Sequence, residues 1–365
     1  MVSSVDRRRY LRVIWRALLL PSLIAVQISG CTSVPLEMHM AGATELIGEK
    51  VWPGLPQLPR YRYAGELIGE DNFQPANGNR RGGVTRVLRW LVGLGARRDD
   101  PVVLQRPQSG AVDGQGRIFV SDTSRGGIFV FDPVAGKLEV WEFAEWYKPF
   151  IAPIGVAVTR SGELLVADAE RAAVFRLDSE GKPAGKIADE SLIRPTGIAL
   201  DPATGLIYVA DTRSHDVKVF TPEGTLVNVI GAPGNKPGTF NAPVHISFAG
   251  GQLYVVDTLN ARVQVFSADG TYLSTVGERG LYLGNLTHPK GVVADSDGNV
   301  YVTESFYDYL LIYDREGKFL LPIGGTGSGV GQFFLPAGIW MDQQERLYVA
   351  DMFNGRVMVL DYLGG

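Results

Sequence analysis

The chain holds a single cysteine, Cys31, among its 365 residues. One thiol excludes an internal disulfide and any cysteine-rich metal site. Histidine is nearly as scarce, with only His39, His215, His245 and His288. A basic excess is missing too: the formal charge is −4, whereas a nucleic-acid partner favours a basic chain. The apolar run ALLLPSLIAVQI has twelve residues, well short of the about 20 a helix needs to cross a bilayer. No Ser/His/Asp pattern stands out for nucleophilic catalysis. Glycine, by contrast, is abundant. Its 45 copies, with 45% hydrophobic and 20% charged residues, describe a folded chain rich in tight turns.

The first residues read as an address. MVSSVDRRRYLRVIWR carries five arginines against one aspartate and leads into the apolar run. A basic start followed by so short an apolar stretch predicts a secretory signal over 1–30. The run ends in Ile28-Ser29-Gly30-Cys31. This resembles the bacterial lipobox, in which small residues precede a cysteine that is acylated and becomes the new N-terminus. The resemblance implies lipidation at Cys31 and membrane attachment through it, since each buried CH2 contributes about 0.8 kcal/mol. The next residue is Thr32, not the aspartate that commonly retains enterobacterial lipoproteins at the inner membrane. The outer membrane is therefore expected, with the protein on its periplasmic side or at the cell surface. Arg7-Arg8-Arg9-Tyr10-Leu11-Arg12 also resembles a twin-arginine export motif. Removal of 1–30 leaves 30 Lys and Arg against 38 Asp and Glu, a charge near −8. Residues 31–59 end in VWPGLPQLP and read as a tether, flexible at first and stiffer near the prolines.

From Pro107 onward the chain falls into six registers. They open PQSGAVD at 107, PIGVAVT at 153, PTGIALD at 195, PVHISFA at 243, PKGVVAD at 289 and PAGIWMD at 336. The steps between prolines are 46, 42, 48, 46 and 47 residues. Fourteen to sixteen residues after each proline stands an acid: Asp122, Asp168, Asp211, Asp257, Glu304 and Asp351. A β-branched or aromatic run precedes each acid, and another follows about five residues later, so each unit predicts four short strands joined by Gly- and Asp-rich turns. Regular spacing of this length indicates a propeller rather than several globular domains. The units resemble NHL repeats over about 107–361, through the Pro-x-Gly opening, an LYVAD-like second strand and an N-x-R-V-x-V-F-like third strand. The resemblance implies an all-β, six-bladed propeller and leaves the function open, because propellers host unrelated activities.

The sixth unit stops after its third strand, RVMVLDY, which would leave an unpaired edge. RYRYAGELIG at 60–69 has strand-like alternation and compares with the fourth strands GTYLSTVG and GKFLLPIG. It is predicted to complete the last blade and close the ring, giving a propeller domain over 60–365. Within that domain, 80–98 places Val84, Val87, Leu88, Leu91 and Val92 at helical spacing, an amphipathic helix inserted before the first blade. Such a helix would cover the propeller surface, lie on an anionic membrane through its arginines and Trp90, or contact a partner.

In an up-and-down blade the Pro-x-Gly openings and the loops after the acids share one face, around the central channel. These loops vary from unit to unit, and the last two place Phe306, Tyr307 and Phe353 there, with Tyr282 in the preceding loop. Clustered exposed aromatics mark a contact surface. The six acids are expected to accept loop amides rather than form a carboxylate ring. GGTGSGVG at 324–331 looks like a phosphate loop, but no helix or Gly-Lys-Ser/Thr follows it. It shares G-x-x-G-x-x-x-G with stretches at 231 and 277, which assigns all three to turns between blades.

Ser109 and His245 replace the glycine of Pro-x-Gly. His245 is expected near the channel mouth, with His288 one blade onward. Peptidylglycine amidating lyases are six-bladed relatives whose zinc is held by three histidines from separate blades. Only two plausible ligands converge here, and a catalytic zinc normally takes three. Gluconolactonase-like propellers bind a divalent cation in the channel, to which Asp257 and Asn260 could contribute. No cofactor and no metal ligand set is therefore assigned, with a channel-bound cation left possible. The residues assigned to ligand or partner binding are His245, His288, Asp257, Asn260, Tyr282, Phe306, Tyr307 and Phe353. The functional expectation is a lipid-anchored envelope binding or scaffold protein, with an envelope protein partner, no nucleic acid and no obligate homo-oligomer. The alternative is a metal-assisted envelope lyase or lactonase.

Overall fold

The second strands are buried along their length, as in Ile118–Asp122, Leu164–Asp168 and Leu347–Asp351, with only Gln252 of Gln252–Asp257 partly exposed. A strand buried on both faces has to be packed between neighbouring sheets, which is the environment inside a propeller. The computed structural model describes residues 35–42, 50–76 and 101–364. Blade one consists of Pro107–Val112, Ile118–Asp122, Gly127–Asp132 and Lys137–Trp141, paired in that order. Blades two to six open with the inner strands Pro153–Val158, Pro195–Leu200, Pro243–Ala249, Pro289–Ala294 and Pro336–Met341. All six sheets are antiparallel, and each proline pairs with the acid of its own unit, Pro107 with Asp122 through Pro336 with Asp351. The fourth strands of blades two, three and four have exposed centres, as in Leu226–Ile230.

Side chains between blades form the core. Tyr208 of blade three stacks on Phe248 of blade four at 5.3 Å, and Phe240, Leu286 and Phe333 fill equivalent fully buried positions before three successive blades. The glycines of Pro-x-Gly set how closely the inner strands approach. A Cβ on Gly155 would lie 2.3 Å from the Thr196 carbonyl of the next blade, and one on Gly338 would lie 2.4 Å from that of Gln108. No side chain fits there without pushing two blades apart. The three G-x-x-G-x-x-x-G stretches are turns between blades, held by equivalent bridges Pro233 to Phe240, Arg279 to Leu286 and Thr326 to Phe333.

The ring closes as the strand pattern at 60–69 predicts. Tyr61–Leu67 pairs antiparallel with Arg356–Tyr362, from Val357 opposite Leu67 to Tyr362 opposite Tyr61, with one register shift between Val359 and Leu360. Arg356 reaches Glu66 at 2.8 Å, and Arg62 reaches Asp361 at 2.8 Å. The Tyr61 and Tyr301 hydroxyls meet at 3.1 Å, tying the closing strand to blade five. Two short strands form among the described residues of the segment read as a tether. Val51–Trp52 pairs outside the closing strand as a fifth strand of blade six, and Leu36–Met38 pairs with Phe73–Pro75. Both are too short to show alternation, and their partners supply the hydrogen bonds. Helix among the described residues is limited to the 3-10 turns Glu70–Asn72, Thr258–Asn260 and Met352–Asn354. None of them is long and apolar enough to cross a membrane. Cys31 and the helix read at 80–98 lie outside the described residues.

Leu67 is fully buried at the end of the closing strand. Leu67→Ala is expected to cost about 3 kcal/mol, as buried leucine truncations do. Urea denaturation would show it as a lowered midpoint at unchanged slope, and an unchanged midpoint would exclude the strand from the cooperative unit.

Candidate functional site at the channel face

The six acids define the face. Asp122 is fully buried. Its Oδ2 accepts the amides of Gln105 at 2.6 Å and Arg106 at 2.9 Å, and its Oδ1 accepts those of Ser124 at 2.9 Å and Arg125 at 3.0 Å. Asp168 accepts Ile151, Ala152, Glu170 and Arg171 in the same way. The loop entering each blade and the loop leaving its second strand therefore meet at one carboxylate. This puts the Pro-x-Gly openings and the variable loops on the same side of the disc. The carboxylates are spent on loop amides and neighbouring side chains of the protein itself, which makes them staples of the loops.

In blade four, Asp257 and Asn260 are engaged by partners from the protein itself. Asp257 accepts the Asn241 amide at 2.7 Å, Asn260 Nδ2 at 2.8 Å, Arg262 Nε at 2.8 Å and Gln264 Nε2 at 3.2 Å. A guanidinium already neutralises the carboxylate, and Asn260 also donates to the Gly234 carbonyl. Among the described residues no three His, Cys, Asp or Glu side chains gather as a metal-binding group.

The two histidines have separate partners. His245 lies on the inner strand of blade four, and its Nδ1 accepts the Val292 amide of blade five at 3.3 Å. That amide lies on the innermost strand of its sheet, so the ring straps two inner strands together. The residue is half-buried, and burial lowers its pKa from 6.5 to about 4. A neutral ring suits an Nδ1 acceptor. His288 precedes the inner strand of blade five, with Nδ1 3.1 Å from Ser305 Oγ and its amide on Glu304. Burial, and then the neighbouring Lys290 charge, lowers its pKa.

The aromatic residues assemble at blades five and six. Phe306, 60% exposed, meets Tyr307 edge-on at 4.8 Å. Phe353 meets Phe334 at 5.4 Å, and the Arg106 guanidinium lies 5.4 Å from the Phe353 ring centre. Asp308 joins the two pairs, since it follows Tyr307 and accepts the Leu335 amide at 2.7 Å. Tyr282, 84% exposed, borders a cavity of about 230 Å³ that Glu304, Tyr307, Tyr309 and Leu281 also line.

Two features carry little sequence signal. Lys290 occupies the second position of its opening, where the other blades have Gln108, Ile154, Thr196, Val244 and Ala337. It is the one charged residue of that set, and burial lowers its pKa while the Glu304 charge opposes the shift. A hairpin, Phe143–Glu145 with Lys148–Pro149, interrupts the passage from blade one to blade two. It presents Trp146 and Tyr147, 66% and 92% exposed. The aromatic density of EFAEWYKPF is its only trace in the sequence.

With fold and face in view, the class is clear: this is a six-bladed β-propeller built of NHL-type repeats. The family described as 6-bladed beta-propeller matches residues 285–365, and the NHL repeat family matches 192–220. Virginiamycin B lyase from Staphylococcus aureus is similar in structure, with TM-score 0.52 and 14% identity over 71% of this chain and 96% of that one. A gluconolactonase from Xanthomonas campestris gives TM-score 0.55 and 17% identity over 74% of this chain and 92% of that one. An auxiliary nutrient binding protein from Bacteroides thetaiotaomicron gives 0.58 and 12% over 73% and 71%. At these identities the likeness is one of fold, and the neighbours include lyases, a lactonase and a nutrient binding protein.

The His245 strap makes stability depend on pH. A group whose pKa falls from 6.5 unfolded to about 4 folded contributes fully above 6.5. That contribution, on the order of 3 kcal/mol, is lost as pH drops through 4. His245→Gln should flatten the melting-temperature profile between those limits. An equally steep profile in the variant would assign the acid sensitivity to other groups.

Proposed function

We propose that the chain is a lipid-anchored envelope protein that binds or scaffolds a partner through the channel face of its propeller. The observation that carries this reading is the pairing of Phe306 with Tyr307 and of Phe334 with Phe353 on one seam, exposed on a face whose carboxylates are otherwise spent. Exposed aromatics gathered on a rigid frame are the usual anchors of an interface. The partner is an envelope protein or another ligand of the same compartment, and the membrane is reached through Cys31 at the outer membrane. The nutrient binding protein among the structural neighbours supports a binding role by analogy of fold.

A second reading, an envelope lyase or lactonase with its site at the channel mouth, draws on His288, Lys290 and Glu304. All three have shifted pKa values and stand together at blade five. Perturbed titratable groups in a concave site are candidate catalytic groups. The lyase and gluconolactonase neighbours give it the same fold-level support.

Phe306→Ala combined with Phe353→Ala should weaken crosslinked partner capture in intact cells by at least tenfold while the melting temperature holds. Unchanged capture by the folded double variant would remove the channel face from the binding surface. Metal content per chain, measured on protein purified without chelators, separates the two readings. About one tightly held divalent ion would favour the enzyme, and none would favour the binder.

A further inference from the structure

Blades four, five and six are each preceded by a G-x-x-G-x-x-x-G turn, and the three turns share one form. Thr239, Asn285 and Gln332 each donate an amide to the carbonyl three residues back, at 3.0, 2.9 and 3.1 Å. In blades four and six an arginine fills the space between this turn and the acid of the blade. Arg262 reaches Asp257 at 2.8 Å and the carbonyls of Lys236 and Thr239, both at 2.9 Å. Arg356 reaches Asp351 at 2.8 Å and the carbonyls of Gly329 at 3.2 Å and Gln332 at 2.8 Å. Asn260 and Asn354 close the same space, each bonded to its acid and to a turn carbonyl.

Blade five keeps the acid and the turn but not the arginine. Tyr309 stands opposite Glu304 in the register that sets Arg262 opposite Asp257 and Arg356 opposite Asp351. Tyr307 takes the place of the two asparagines, and Leu311 that of Gln264. A cavity of about 230 Å³ lies there, lined by Glu304, Tyr307, Tyr309, Leu311 and the turn residues Tyr282 and Asn285. Tyr282 and Asn285 are the counterparts of Lys236 and Thr239, whose carbonyls hold the arginine of blade four. The same turn exposes Leu281, Tyr282 and Leu283 where its relatives have Asn-Lys-Pro and Ser-Gly-Val, so the turn itself does not require those apolar residues.

The walls select the ligand. Both oxygens of Glu304 accept amides, from Thr287, His288 and Phe306 at 2.8 to 3.0 Å, so the acid supplies charge rather than acceptor positions. Asp308 and Lys290 reach it with opposite charges and leave its own charge standing. Hydrogen bonds from a bound cation therefore fall to the turn carbonyls, and its faces to the tyrosine rings. A guanidinium meets both demands, because it is planar, stacks on aromatic faces and is more weakly hydrated than an ammonium.

We infer that the blade-five cavity is a binding site for a guanidinium, receiving from outside the group that blades four and six supply from within. This rests on the channel face being the binding face. The cavity, at about 230 Å³, is smaller than the roughly 300–1,000 Å³ that holds a drug-sized ligand, so it admits a head group. That head belongs to an arginine side chain of a partner protein or to a free guanidino compound, which present the same chemistry.

The test is calorimetric titration of the intact protein with N-acetylarginine amide and with its neutral isostere N-acetylcitrulline amide. The arginine compound should bind at least tenfold more tightly. Tyr309→Arg should fill the cavity from the protein's own strand, abolishing the binding while the melting temperature stays at or above that of the parent. Tyr282→Ala, at an exposed position, should weaken the binding at least threefold. Butylguanidine separates the sources: affinity equal to or above that of the arginine compound indicates a free guanidino ligand, and lower affinity a peptide arginine. Equal binding of the arginine and citrulline compounds, tighter binding of N-acetyllysine amide, undiminished binding in a folded Tyr309→Arg or in Tyr282→Ala, or no binding at millimolar concentration would each overturn the assignment. If the cavity assignment fails alone, partner capture still depends on Phe306 and Phe353 and ignores Tyr309→Arg. If the face reading fails alone, arginine binding persists while capture ignores Phe306 and Phe353.

Discussion

A buried carboxylate that accepts amides from two loops at once is the constraint on which this molecule depends. In every blade the acid at the end of the second strand joins the loop that brings the chain in to the loop that carries it out. Hydrogen bonds to a charged acceptor contribute about 1.5–3 kcal/mol each, enough together to offset the burial of the charge. Blades one, two and five satisfy their acids with backbone amides. Blades four and six add a guanidinium, Arg262 on Asp257 and Arg356 on Asp351, both at 2.8 Å. Blade three uses Lys218. The staple is thus tolerant of how it is satisfied but not of being left unsatisfied. That freedom lets each variable loop change its other residues without loosening the frame.

The face carried by these staples is asymmetric. Arg106, before blade one, lies over the Phe353 ring, and Arg194, before blade three, is paired with Glu170 at 2.5 Å. Blades five and six present rings. Blade five differs further: its acid is a glutamate, its opening carries Lys290, and its loop carries Phe306 and Tyr307. Three departures from the repeat in one blade are difficult to ascribe to the needs of the fold, which the other blades meet with other residues. Functional specialisation of a repeat protein is expected to look like this, with one unit diverging on a conserved geometry.

Much of the frame was legible because its causes are local. Proline at each opening, glycine two residues on and acid at the second strand's end follow from bond geometry and hydrogen bonding within one unit, and repetition made them visible. The closing strand was legible for the same reason, through its alternation from Tyr61 to Leu67 and the missing fourth strand of the last unit. The site was only partly so. Phe306, Tyr307 and Phe353 stood out as aromatics in variable loops, whereas Phe334 pairs with Phe353 across the entry loop, a contact that no spacing announces. His245 stood out by replacing glycine, but its role as an acceptor for Val292 depends on the blade next door. Lys290 carried little signal because one lysine on a strand is ordinary; its burial near the Glu304 charge depends on how the blade packs. The short strands at 36–38 and 51–52 had no sequence signal, since strands of two or three residues take their structure wholly from their partners.

The closing strand carries one more implication. Arg62 and Asp361, which meet across it, are 299 positions apart in the chain. Closing so long a loop comes late, after the contiguous blades have formed from nearer contacts. Until then the strand Arg356–Tyr362 offers an open edge and the strand Tyr61–Leu67 is a detached clasp of matching register. A clasp supplied by a second copy meets identical partners, so two half-closed rings can exchange strands and lock as a swapped pair with no interface of their own design.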